Sequence, residues 1–148
     1  MKPTQIKIRI ARGALGPDVP CRDMVVSPQH RMLAEGHAVE LATGEAEALV
    51  AATMLLGFPG IERVAVSAVT YIHIMFDRHE VIRADDAWTE SFQPGEQTLG
   101  DMEKAAREEL LSIFPELATD RGLKAYEAAR ISLRRHEARA VFQSRLAA

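Results

Sequence analysis

The stretch from Arg63 to Phe76 reads RVAVSAVTYIHIMF, with Val64, Val66, Val69, Thr70, Tyr71, Ile72 and Ile74 close together. β-branched and aromatic side chains at that density suit a pleated, half-buried surface and lose rotamer freedom in a helix, which commits the chain to a sheet. Alternation sets Tyr71, His73 and Met75 on one face and Ile72, Ile74 and Phe76 on the other. A second run at Val81-Ile82 follows Asp77-Arg78-His79-Glu80, and the two runs together predict a hairpin.

The N-terminal part carries the same signal. Ile6, Ile8 and Ile10 alternate with Lys7 and Arg9, so a strand is expected with three apolar residues on one face and two cations on the other. Gly13 to Asp23 holds two Gly and two Pro and reads as a loop. Met24-Val25-Val26 is a short strand ended by Ser27-Pro28, because proline lacks a backbone donor and confines its predecessor to extended geometry. Val39 to Leu41 reads as a further short strand. Glu45 to Leu56 is ambiguous, its alanines favouring helix and Leu49-Val50 with the Gly57-Phe58-Pro59-Gly60 turn favouring strand.

Helical periodicity appears only later. Asp101 has the character of an N-cap, Met102, Ala105, Ala106, Leu110, Ile113 and Phe114 follow at spacings of three and four, and Pro115 closes the run. Leu123 to Leu146 predicts a second, Arg-rich helix with a thin stripe of Tyr126, Ile131, Leu133 and Val141. The expected class is therefore mainly β with one or two C-terminal helices.

Composition narrows the function classes. At 148 residues the chain can bury a core without staples, and Cys21 alone excludes an internal disulfide and a four-Cys zinc site. The apolar run Ala48 to Ile61 is interrupted by glycine and proline and falls short of the roughly 20 residues that cross a bilayer. MKPTQIKIRIARG lacks the apolar stretch of a signal peptide, so no membrane association is expected and the cytoplasm is the default compartment. Residues 1–117 hold 11 basic and 18 acidic residues, whereas 118–148 hold 7 and 3. The tail is thus a separate electrostatic unit. Arg130, Arg134, Arg135, Arg139 and Arg145 can meet phosphates along a helix, but an acidic body repels nucleic acid, and a solvated helix interleaved with Glu127 and Glu137 is the expected reading.

Two groups of residues can carry chemistry. Ser27-Pro28-Gln29-His30 sits where a strand gives way to a turn, so a hydroxyl and an imidazole can converge on one peptide group; the plain alternative is a turn with a surface histidine. His73, Asp77 and His79 can ligate a metal, or be one core histidine and one loop histidine paired with Asp77 or Glu80, and the latter is expected because no further ligand cluster has recognisable spacing. There is no Gly-x-Ser-x-Gly elbow and no phosphate-binding glycine loop, so neither hydrolase chemistry nor a cofactor is expected. Cys21 reads as a reactive thiol or, more simply, a bystander.

The strings IRIARGALG, RDMVVSPQHRML, GEAEALVAATML, YIHIMFDRHEVIRADDAWTESFQPGEQTLG and LLSIFPEL, in this order, resemble the bacterial hedgehog/intein (Hint) domain family over about residues 6–117. The resemblance implies a horseshoe-shaped all-β fold that rearranges its own backbone: an N-terminal Cys or Ser attacks the preceding peptide bond, and the resulting thioester or ester leads to splicing, cleavage or ligation. By resemblance, Ser27 and His30 match a Thr-x-x-His motif whose histidine aids the first acyl shift. Asp77 and His79 match the downstream block of the second step, Ser91 falls near the end of the catalytic unit, and Asp85-Asp86 stands where an Asp-Gly turn is expected.

The opening strand of the family, Cys-Phe-x-x-Gly-Thr, has no match in Met1 to Ile10, and Cys21 lies too close to the SPQH block to replace its nucleophile. The expectation is an N-terminally truncated Hint-like domain over 1–117 with an Arg-rich helical tail over 118–148, inactive alone. Its expected partner is a missing N-terminal Hint segment or a fused polypeptide. The alternative is an interaction module that uses an exposed β edge, with a homo-oligomer as one outcome.

Overall fold

A computed structural model describes residues 4–70 and 72–146, the side chains of 96–97 and 143–146 excepted. The elements are β1 (Gln5–Ile10), β2 (Met24–Val26), β3 (Arg31–Glu35), α1 (His37–Thr43), β4 (Glu47–Ala51), β5 (Ile61–Val66), β6 (Val81–Ala84), β7 (Ala87–Glu90), α2 (Glu96–Asp101), α3 (Lys104–Ile113), α4 (Asp120–Ala125) and α5 (Arg135–Leu146), with 3-10 turns at Ala52–Leu55 and Pro115–Ala118. The protein is mainly β, with helices gathered toward the C-terminus. Its contacts divide into two units, Met1–Ile72 with Val81–Glu90 and Arg130–Ala148, and His73–Glu80 with Ser91–Ala129.

The first unit holds two antiparallel sheets, ordered β2-β1-β5 and β4-β3-β7-β6. Ile8 and Ile10 are fully buried on β1, as their alternation predicts, and burying each is worth about 1.5–3 kcal/mol. They join Met32, Val39, Val50, Leu55 and Val141 in one core. Ile6 departs from the pattern at 51% exposed, since β2 pairs with β1 only from Ile8 onward and leaves Ile6 covered on one side. Lys7 departs in the other sense: it is buried, and that burial pulls its pKa down.

Val39 to Leu41 is helix, not strand. Gly36 and Gly44 bracket α1, and Gly44, at φ 81°, reverses the chain in the left-handed region while its N–H donates to the Glu40 carbonyl at 2.8 Å. The ambiguous segment 45–56 resolves as β4 followed by a 3-10 turn. Opposite β3, the outer edge of β4 is covered by the tail: Leu49 N–H donates to Ile131 O at 2.7 Å and Leu133 N–H to Leu49 O at 2.8 Å. Phe142 on α5 meets Phe58 edge-on, with ring centroids 5.3 Å apart.

The strand expected over 63–76 ends at Val66. Its ladder with β1 runs out at Gln5↔Val66, and Ile72, Ile74 and Phe76 are 84%, 54% and 42% exposed. Tyr71 lies outside the described residues. Val81-Ile82 does form a strand, but it pairs forward with β7 and not back with 63–76. Asp85 and Asp86, at φ 49° and 63°, form the two-residue turn whose twist suits a hairpin.

In the second unit, Leu99, Leu117 and Tyr126 are buried. The helix expected from Asp101 begins at Lys104, because Met102 is extended (ψ 149°) and Asp101 closes α2 instead of capping α3. The single helix expected over 123–146 is broken into α4 and α5. Gly122 on α4 permits a close approach that no side chain could share, since a Cβ there would lie 1.8 Å from Glu116 O. Among the described residues, no helix is long and apolar enough to cross a membrane.

Candidate functional site

Ser27, Pro28, Gln29 and His30 form the tight turn between β2 and β3, closed by His30 N–H donating to Ser27 O at 3.0 Å. The proline sets the entry, and the 3-10 turn after β4 clamps the exit: Thr53 N–H donates to Pro28 O at 2.9 Å and Ala52 N–H to His30 O at 2.8 Å. Ser27 and His30 are both half-buried. The sequence places these two residues on one turn, and so does the structure.

Behind the turn stands a group that the sequence reading missed. β7 packs beside β3 with Met32 opposite Thr89, which brings Thr89 to the His30 ring. His30 Nε2 lies 2.6 Å from Thr89 Oγ1, and Thr89 Oγ1 donates to Arg31 O at 2.9 Å. Arg31 reaches Glu90 through its backbone N–H (2.9 Å to Oε1) and its guanidinium (Nε 2.9 Å and Nη2 2.7 Å from Oε2), and donates from Nη1 to Ser132 Oγ at 2.6 Å. The side chains of Arg31 and Glu90 are 19% and 9% exposed, so the ion pair is largely withdrawn from water. The available signal was Thr89 itself: a hydroxyl on the inward face of a strand whose outward neighbour is Trp88.

Asp77, His79 and Ser91 belong to the second unit. Asp77 is exposed. His79 is buried, and its Nδ1 accepts the Ala129 N–H at 2.8 Å. Ser91 is also buried; its Oγ accepts the Glu80 N–H at 2.9 Å, and its own N–H donates to Glu80 O at 2.9 Å. Tyr126 Oη donates to Phe76 O at 2.7 Å, and burial raises its pKa, with Glu80 and Asp77 adding to the rise. His73 lies over Phe92 with ring centroids 4.4 Å apart, and desolvation lowers its pKa. Among the described residues, no group of three or more His, Cys, Asp or Glu side chains is placed to hold a metal ion. Cys21 is half-buried in the loop before β2, where its N–H donates to Asp85 O at 2.8 Å.

A histidine at a strand-to-strand turn, its ring bonded to a hydroxyl, is a group that can exchange a proton with whatever is brought to it. A family model described as the Hint domain matches residues 1–96. The chain belongs to the Hint domain family. That match spans all seven strands and the whole of the His30 group, Ser27 through Glu90, which makes the β2–β3 turn and β7 parts of the Hint domain proper. No curated protein and no solved structure matches the chain.

Proposed function

We propose that this Hint domain serves autocatalytic acyl transfer at a peptide bond, with His30 as the proton-transfer group and Ser27 as its hydrogen-bonding companion. The supporting observation is the His30 ring, half-buried at the end of a clamped turn and bonded to Thr89 at 2.6 Å. In the first step a thiol or hydroxyl adds to the scissile carbonyl carbon, the C–N bond breaks, and a thioester or ester forms. The departing amine nitrogen takes the proton that His30 delivers, and the nucleophile gives up its own, so protons balance and nothing is oxidised.

Residues 1–148 contain no Cys-Phe-x-x-Gly-Thr stretch, and the first nucleophile is assigned to a strand of that kind joined to or docked on this domain. Asp77, His79 and Ser91 enter as the group for the second step, exposed Asp77 being the member that meets solvent directly.

The test is to fuse the chain to a Cys-Phe-x-x-Gly-Thr fragment, or mix the two, and follow thiol-dependent cleavage by intact mass. His30→Ala is expected to slow cleavage about 10²–10⁴-fold, the usual contribution of a positioned acid or base. Cleavage unchanged in that variant ends the reading.

A second reading rests on a different observation. Among the described residues, β2 and β5 each pair only with β1, so the three-stranded sheet presents two strand edges. An interaction module would use such an edge to accept a strand from a partner or from a second copy of this chain. Size-exclusion mass separates the two: a monomer at all concentrations counts against self-pairing.

A further inference from the structure

Thr89 has one hydroxyl proton, and the geometry spends it. Thr89 Oγ1 donates to the Arg31 carbonyl at 2.9 Å, where β3 and β7 run side by side. A hydroxyl that donates in one direction can only accept in another. The 2.6 Å contact with His30 is therefore an Nε2–H donating to Thr89 Oγ1. In the neutral ring, a proton on Nε2 leaves the lone pair on Nδ1.

From this we infer that Thr89 is a positioning residue that fixes the His30 tautomer, holding the proton of the neutral ring on Nε2. The inference rests on the reading of His30 as the proton-transfer group and deepens it. The Arg31 carbonyl is the other half of the device, because it orients the threonine hydroxyl away from the imidazole. The Arg31–Glu90 pair in turn joins the start of β3 to the end of β7 through backbone and side chain together. The order of action is Glu90 on Arg31, the Arg31 carbonyl on Thr89, and Thr89 on His30. Of these residues only His30 is assigned contact with the reacting atoms.

The test is ¹⁵N NMR of the imidazole nitrogens in the full chain labelled at histidine, with His30 assigned by the signals that His30→Gln removes. The expected result is a protonated Nε2 and an unprotonated Nδ1 in the neutral form. Thr89→Ser keeps the hydroxyl and retains this pattern. Thr89→Val removes the acceptor and shifts the ratio of tautomers toward Nδ1–H by roughly tenfold, the factor carried by one hydrogen bond of ordinary net strength; Thr89→Ala repeats the removal should valine prevent folding. A wild-type ring protonated at Nδ1, or a ratio unmoved in a folded variant lacking the hydroxyl, overturns the inference.

The measurement requires no cleavage, so the two readings fail separately. The Nε2–H tautomer together with cleavage indifferent to His30→Ala sinks the catalytic reading and leaves the tautomer device standing. An Nδ1–H ring with cleavage lost in His30→Ala does the reverse.

Discussion

His30 in the first unit and His79 in the second each engage a ring nitrogen in a hydrogen bond shorter than 3 Å, but they do so from opposite sides. His30 brings its Nε2 to a side-chain hydroxyl at 2.6 Å, whereas His79 Nδ1 accepts the Ala129 backbone N–H at 2.8 Å. The first ring is half-buried at a turn and the second is buried. An imidazole whose basic nitrogen holds an amide acts as a backbone acceptor. One held by a hydroxyl meets a partner that can both donate and accept. The same residue type is thus held differently in the two units, and spacing along the chain does not distinguish the cases.

The largest expected effect tests what supports the His30 group. Glu90→Ala strands the Arg31 guanidinium, and breaking a largely buried ion pair is expected to cost about 3 kcal/mol, the lower end of the usual range because Arg31 keeps Ser132 and some access to water. Urea unfolding reads this as a lower midpoint at constant slope. A loss under about 1 kcal/mol would place the pair with exposed ones and remove the frame argued for Thr89.

His79→Ala empties a buried site and leaves the Ala129 N–H without its acceptor, for an expected loss of about 2–3 kcal/mol. His30→Ala truncates a half-buried turn residue, its bond to Thr89 included, and is expected to cost about 1 kcal/mol. The two variants should therefore order oppositely in stability and in the first acyl shift, since His79 is proposed only for the step that follows. Equal stability losses would break the distinction between them.

The features legible in the sequence were the ones whose causes are local. The alternation of Ile8 and Ile10 and the Ser27-Pro28 strand stop depend on residues within a few positions, and both survive in the structure. The segment 67–76 shows the limit. Its β-branched residues state a preference, but a strand requires a neighbour, and the ladder with β1 ends at Val66. The tail shows the converse. Nothing near Leu133 announces a break in the helix; the break comes from Leu49, far back in the chain, which bonds to the backbone on both sides of Ser132. Thr89 was missed for the same reason. Its neighbours His30 and Arg31 lie nearly sixty residues away, joined only by the β3–β7 pairing. Ser27 and His30 were visible because one turn contains both.

His73 offers the smallest effect and a different kind of test. Desolvation beside Phe92 holds its folded pKa below the ordinary 6.5. Between that lowered value and 6.5 the unfolded chain binds more protons than the folded one, so stability rises with pH across the window. The penalty is therefore full in acid below the folded pKa and is gone above 6.5. His73→Gln should flatten that slope, gaining on the wild type in acid and matching it in alkali, as read from urea midpoints on either side of 6.5. The ring is exposed, so solvent keeps the difference small. A steeper acid slope in the variant would mean that protonated His73 is stabilised in the folded protein, which would contradict a ring whose surroundings act by excluding water.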